Sequence, residues 1–309
     1  SGWGGGRRGA GNLHPQDEGV AQPPGAGKDL AGPKLCATMR RMIIDAVPGW
    51  AFYLLAGILG AILGSFANVC IVRMPKGESI VRPRSRCPRC GSPIRCHENV
   101  PILSFIILRG RCRSCREPIS WRYPAVELLC VALAILTWWR FGDPLEFFVY
   151  FPFFITPLVI VSFIDLEHRI IPDAISIPGI FVGIGACALL APSGGRMNAA
   201  LGGLIGAVVG GLSLFLVAWI YEKLKKQEGM GGGDVKLIAM IGAFFGWRAS
   251  IFILLMSSVL GSLVGLSMIL ALRKDMKYAI PFGPFLAAAG VIHLFVGQRL
   301  ILWYSNLLM

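Results

Sequence analysis

The sequence predicts an all-α polytopic membrane protein of about eight transmembrane helices, with a small cytoplasmic zinc-ribbon-like domain inserted after the first. Three observations carry that prediction. Of 309 residues, 55% are hydrophobic and 15% charged, whereas soluble domains carry about 25% charged residues. Apolar runs approaching the roughly 20 residues that cross a hydrocarbon layer recur from Trp50 onward. Between the first two runs lies a polar, strongly basic stretch holding two CxxC pairs.

Taken in order, residues 1–47 read as a disordered tail and pre-membrane segment. The first 33 are rich in Gly, Pro and Arg and nearly devoid of large apolar side chains, so burial cannot offset the entropy of ordering them. Their WGGGRRGAG stretch lacks the apolar core of a signal peptide. The first transmembrane helix is expected at 48–72. Residues 73–123 form the four-cysteine domain, and 124–309 a seven-helix domain with spans near 124–140, 146–164, 174–192, 198–221, 235–247, 249–272 and 282–305. The sixth is short and begins in glycines, which suits backbone set against protein or water rather than lipid. In the fifth, Gly202, Gly203, Gly206, Gly210 and Gly211 suit close helix packing.

The net charge of +13 excludes little by itself, but its distribution argues against nucleic acid, because no continuous basic patch lies on a polar domain. Twelve Lys or Arg fall between Arg73 and Arg122, with further groups at Lys223, Lys225, Lys226 and Lys236 and at Arg273, Lys274 and Lys277. These loops are expected to face the cytoplasm and to be drawn to anionic lipid. Eight spans then place both termini on the opposite side.

Cys87-Pro-Arg-Cys90 and Cys112-Arg-Ser-Cys115 are separated by 21 residues. In a reducing compartment this pattern favours metal over disulfides. Four thiolates close a tetrahedral Zn²⁺ shell and leave no open position, so the zinc is structural. Arg86, Arg89, Arg111 and Arg113 partly compensate its charge. Cys36, Cys70, Cys96, Cys130 and Cys187 read as packing residues, and His97 as a surface residue.

Ionisable groups at a membrane boundary point to function. Two runs qualify: Phe163-Ile164-Asp165-Leu166-Glu167-His168-Arg169-Ile170-Ile171-Pro172-Asp173, ending the third span, and Gly229-Met230-Gly231-Gly232-Gly233-Asp234-Val235-Lys236-Leu237, opening the sixth. Asp165 and Asp234 are the candidate catalytic pair, since two carboxyls sharing one proton can activate water and polarise a peptide carbonyl. Gly231, Gly233 and Lys236 are read as an active-site loop whose glycines permit unusual backbone angles and close approach of a substrate strand. If Asp165 closes the third helix and Asp234 opens the sixth, helix dipoles place the shared proton on Asp165 and make Asp234 the base, an order that His168 or Arg169 could reverse. Glu167, His168 and Asp173 read as capping or surface groups.

IDLEHRIIPD and GMGGGDVKL resemble the two aspartate motifs of the type IV prepilin peptidase family of GxGD aspartyl peptidases. Gly64-Ser65-Phe66-Ala67-Asn68-Val69 with Arg73-Met74-Pro75 resembles its N-terminal signature. The segment Cys87 to Cys115, then Ile119 to Glu127, is similar to its cytoplasmic domain, and Ile280-Pro281-Phe282-Gly283-Pro284-Phe285 also fits. The resemblance implies an inner-membrane enzyme, its active site and zinc domain facing the cytoplasm. Such an enzyme cleaves the basic leader of type IV prepilins or type II secretion pseudopilins after a glycine. It then N-methylates the new N-terminus, usually phenylalanine, from S-adenosylmethionine. Glu127 is a candidate for contacting the methyl donor or the substrate amine, with a helix-end carboxylate as the alternative. A presenilin-type protease would place Tyr before the first aspartate, where this chain has Ile164. A non-enzymatic scaffold or transporter predicts that neither aspartate matters, and no internal repeat supports a transporter.

Overall fold

The computed structural model describes residues 47–226, 231–272, 280–297 and 299–300. The predicted tail, Arg273, Lys274 and Lys277, and the end of the eighth predicted span lie outside them, as do the side chains of Cys96 and His97. From Trp50 onward the chain forms one unit. Its helices are α1 (Gly49–Arg73), α2 (Leu103–Ile107), α3 (Arg122–Phe141), α4 (Pro144–Tyr150), α5 (Thr156–His168), α6 (Asp173–Leu190), α7 (Arg196–Lys225), α8 (Gly232–Phe245), α9 (Trp247–Leu272) and α10 (Gly283–Ile292). A π-type turn, Phe151–Ile155, joins α4 to α5, and another, His293–Gly297, extends α10. Among the described residues the only β pairing is two isolated bridges in the cysteine segment.

Among the described residues, six helical stretches are long and apolar enough to cross a membrane, the third of them being the continuous run Pro144–His168. Each of the eight predicted spans falls on a helix, but α8 has 14 residues, or about 21 Å at 1.5 Å per residue. Among the described residues, length alone therefore supports six crossings; α8 is a short apolar helix, and so is the described stretch Gly283–Gly297 that begins the eighth predicted span. The reason in α8 is packing. Leu237, Ile238, Met240, Ile241, Gly242, Ala243 and Phe244 are all buried, and α6, α7, α9 and α10 pack around the helix. By contrast α7 and α9 expose long apolar side chains such as Leu204, Val208, Leu212, Leu255 and Leu263, as lipid-facing helices do.

Small residues let α8 be enclosed this closely. A methyl group on Gly206 of α7 would lie 2.2 Å from the Gly242 carbonyl oxygen and 2.6 Å from Gly246 Cα, and one on Gly183 of α6 would lie 2.8 Å from Ala243 Cβ. Of the five glycines predicted to line the α7 face, Gly203, Gly206, Gly210 and Gly211 meet α8 or the start of α9, whereas Gly202 has open space beside it. Because the atoms facing Gly206 are backbone, no side-chain rotation can accommodate a larger residue. Gly206→Val is expected to cost about 3 kcal/mol, visible as a lowered thermal midpoint in detergent. A midpoint equal to wild type would contradict this packing.

The same device seats α3 on α1. A Cβ at Gly60 would meet Cys130 O and Val131 Cα at 2.8 Å, and one at Gly64 would meet Glu127 Cα at 2.8 Å. Cys70 and Cys130 are buried here as predicted, and Cys187 is partly buried.

Candidate functional site

α5 ends where Arg169 adopts a left-handed conformation (φ 58°) and its amide caps the Asp165 carbonyl at 2.9 Å. Asp165 thus occupies the last helical turn, only 5% exposed. Its Oδ2 accepts a hydrogen bond from the Gly283 amide at 3.0 Å. Gly283 opens α10, and a Cβ there would lie 2.6 Å from the same oxygen. The approach therefore requires glycine, and Oδ2 is the carboxylate oxygen held by the start of α10.

Asp234 lies in the first turn of α8, half-buried and interacting electrostatically with Asp165. The two polar interruptions, 69 positions apart in sequence, therefore share one site.

The expected active-site loop requires correction. Gly233 and Lys236 belong to α8, and only Gly231 precedes it, with ordinary extended angles (φ −73°, ψ 142°). The demand for glycine at 233 comes from packing, since a Cβ would stand 2.8 Å from Ile171 Cβ. Ile171 also reaches toward Gly283 and so wedges the two motifs together. Lys236 does not face the pair; its ammonium bridges both oxygens of Asp173 at 2.7 and 2.8 Å. Asp173 and Glu167 are surface groups, as expected, and they also cross-link helices. Glu167 takes a forked pair of bonds from Arg122 at 2.5 and 2.6 Å, which ties the start of α3 to the end of α5.

The four cysteines form a separate cluster. Their sulfurs lie within 4.8 Å of one another, with Cys87 Sγ and Cys115 Sγ 3.9 Å apart, close to the about 3.8 Å edge of a tetrahedron with 2.3 Å Zn–S bonds. Two equivalent knuckles create it. Gly91 N donates to Cys87 O and Cys87 N to Ser92 O; Arg116 N donates to Cys112 O and Cys112 N to Glu117 O. Gly91 (φ 71°) and Arg116 (φ 57°) make the matching left-handed turns.

Charge makes the set fit a dication. The Ser92 side chain, then its backbone, lowers the Cys90 thiol to about 6. At Cys115 the Glu117 amide is the largest influence and lowers the thiol, yet burial and the crowding sulfurs of Cys112, Cys90 and Cys87 outweigh it and push it to about 12. Four thiolates would repel one another here without a cation, and Zn²⁺ held by the four cysteines would supply that charge and fix the fold of the segment. Arg89 pairs with Glu117 and Arg113 with Glu98, so these two arginines also brace the segment. Purified chain is expected to carry one zinc by elemental analysis, and Cys87→Ser to lose it.

Sequence reading had not assigned three residues that prove to be structural partners: Gly283, Arg122 and Asn68. Asn68 offered one signal, an amide deep in the apolar run of α1. It is 3% exposed.

Comparison with known proteins places this architecture. Residues 58–141 match the Bacterial Peptidase A24 N-terminal domain, and residues 152–266 match the Type IV leader peptidase family. A prepilin leader peptidase/N-methyltransferase of Pseudomonas putida is 38% identical over 271 residues, covering 81% of this chain and 92% of the relative. One of Myxococcus xanthus is 44% identical over 233 residues, covering 74% and 68% respectively. One of Pseudomonas aeruginosa is 35% identical over 277 residues, covering 82% and 93%. No solved structure matches.

Proposed function

The chain belongs to the type IV leader peptidase family, and from that premise we propose that Asp165 and Asp234 are the catalytic pair of a membrane-embedded prepilin leader peptidase that also N-methylates its product. The observation that carries this reading is the joining of the two aspartates at facing helix ends, one buried and held by the Gly283 amide. The pair activates a water on one carboxylate and protonates or polarises the scissile carbonyl from the other.

The substrate's form suits the site. A prepilin is an apolar helix behind a short basic leader, so it lies in the bilayer with its cleavage point near the boundary, where α5 ends and α8 begins. The basic loops support a reading in which that boundary faces the cytoplasm from the inner membrane, and the leader is cut after a glycine. Pseudopilins of type II secretion offer the same form and are accepted by the same site. Within this division of labour, 73–123 is the zinc-stabilised domain and 124–309 the peptidase domain. Bound S-adenosylmethionine supplies the methyl group for the new amine.

The test is incubation of the purified enzyme in lipid with a prepilin, followed by mass spectrometry of the mature N-terminus. Loss of the leader, with a gain of one methyl when S-adenosylmethionine is present, is the expected result. An intact precursor with prepilins and pseudopilins alike would refute the reading.

A further inference from the structure

Between the cysteine segment and the cytoplasmic ends of α1 and α3 lies a cavity of about 1020 Å³, at the upper end of the roughly 300–1,000 Å³ usual for small-molecule sites. The catalytic aspartates do not line it. Asn68 of α1, Glu127 of α3 and Ile102 of the loop between the cysteine pairs do, and each carries a feature that packing alone does not require.

Asn68 is the first. Its Nδ2 donates to the Tyr123 carbonyl at 3.0 Å, but its buried Oδ1 has no partner, a loss of about 1–3 kcal/mol for a buried acceptor. Glu127 is the second, 8% exposed beside the apolar contact that Gly64 makes with its backbone. Its Oε2 accepts from Ile102 N at 2.7 Å. Ile102 is the third. A β-branched residue, it is held at φ 63°, ψ −52°, a conformation costing on the order of 1–3 kcal/mol, and that conformation presents its amide to Glu127. A buried acid, an unsatisfied amide oxygen and a strained backbone donor converge on one chamber.

We propose that this cavity is the methyl-transfer chamber, where Glu127 holds the new N-terminal ammonium of the cleaved substrate and accepts its proton, and Asn68 Oδ1 accepts a hydrogen bond from bound S-adenosylmethionine. The inference rests on the bifunctional reading above and assigns it a place. As the amine nitrogen forms its bond to the methyl carbon, the S–CH₃ bond breaks and leaves its electron pair on sulfur, which goes from sulfonium to neutral thioether. The proton leaving nitrogen ends on Glu127. Two positively charged groups, the ammonium and the sulfonium, meet here, and a buried carboxylate is the group suited to both. The route from cleavage is short in sequence and linked in space. Arg122, which also lines the chamber, is bonded to Glu167, two residues beyond Asp165.

The experiment uses zinc-loaded full chain in lipid nanodiscs. Binding of methyl-labelled S-adenosylmethionine is measured by equilibrium dialysis, and ultraviolet cross-linked label is mapped by peptide mass spectrometry. Methylation is followed on a synthetic peptide that already begins with the exposed phenylalanine, so that peptidase action is not needed. Label on segments 65–72, 98–105 or 120–127, a loss of about 10²-fold or more in methylation for Glu127→Gln, and about tenfold weaker binding for Asn68→Ala are expected. Partial recovery in Glu127→Asp, with zinc content and melting as in wild type, separates chemistry from misfolding. Label confined to other segments, or wild-type methylation by Glu127→Gln, would overturn the chamber assignment. A wild-type enzyme that cleaves prepilin but neither binds the donor nor methylates the peptide would overturn the bifunctional reading and the chamber with it.

Discussion

Asp234→Asn and Asp165→Asn are each expected to reduce prepilin cleavage by at least about three orders of magnitude, the scale seen when one member of a cooperating catalytic group is removed. Zinc content should remain unchanged, because neither aspartate belongs to the four-sulfur cluster. Asparagine matches aspartate in volume, so the packing of α8 between α6 and α7 survives, and the loss reports chemistry. At Asp165 an amide can still accept from Gly283, yet it can neither ionise nor carry the shared proton. At Asp234 the change leaves one ionisable group where the reaction needs two states of a pair. The pH dependence of kcat/KM in wild type should correspondingly show two carboxyl-like limbs that belong to the pair. Cleavage by either variant above about a tenth of wild type would be incompatible with this mechanism.

The sequence disclosed the chemistry more readily than the geometry. An aspartate that ends one apolar run and another that opens a later one are conspicuous because charge at a membrane boundary is costly. Paired CxxC turns were equally legible, since each knuckle is built from bonds between neighbours in the chain. Contacts across many residues were not. The Gly283 amide lies 118 positions from Asp165, and nothing local to Pro281-Phe282-Gly283-Pro284 reveals which carboxylate it serves. Lys236 could be placed near Asp234 by adjacency, but its direction depends on where α6 begins, and Asp173 claims it. Hydropathy likewise identified α8 as apolar without revealing that other helices surround it. A fully enclosed helix and a lipid-facing one share a composition, and only the glycines of α6 and α7 distinguish them.

Gly283→Ala carries the second large effect, and it is expected to lower kcat about 10²-fold, the cost of a misplacement on the order of 1 Å at a reacting group. The added Cβ would stand 2.6 Å from Asp165 Oδ2 and 3.2 Å from its carboxyl carbon, closer than real contacts allow. Either α10 or the Asp165 side chain must move. α10 is constrained by buried Leu286, Ala287, Ala289 and Gly290, and α10 packs on α5 and α9, so the carboxylate is the softer of the two. Its displacement breaks the bond from the Gly283 amide and shifts the Asp165 carboxylate relative to Asp234, disturbing the pair without removing either member. KM should change little if substrate is held chiefly by the surrounding helices. That pattern distinguishes mispositioning from general unfolding, which would lower zinc content and melting temperature together. Wild-type kcat in Gly283→Ala would mean that the Asp165 carboxylate is not fixed by the start of α10 during the reaction. Positioning of the pair would then have to come from Ile171, wedged between Gly233 and Gly283, where truncation to alanine would carry the effect instead.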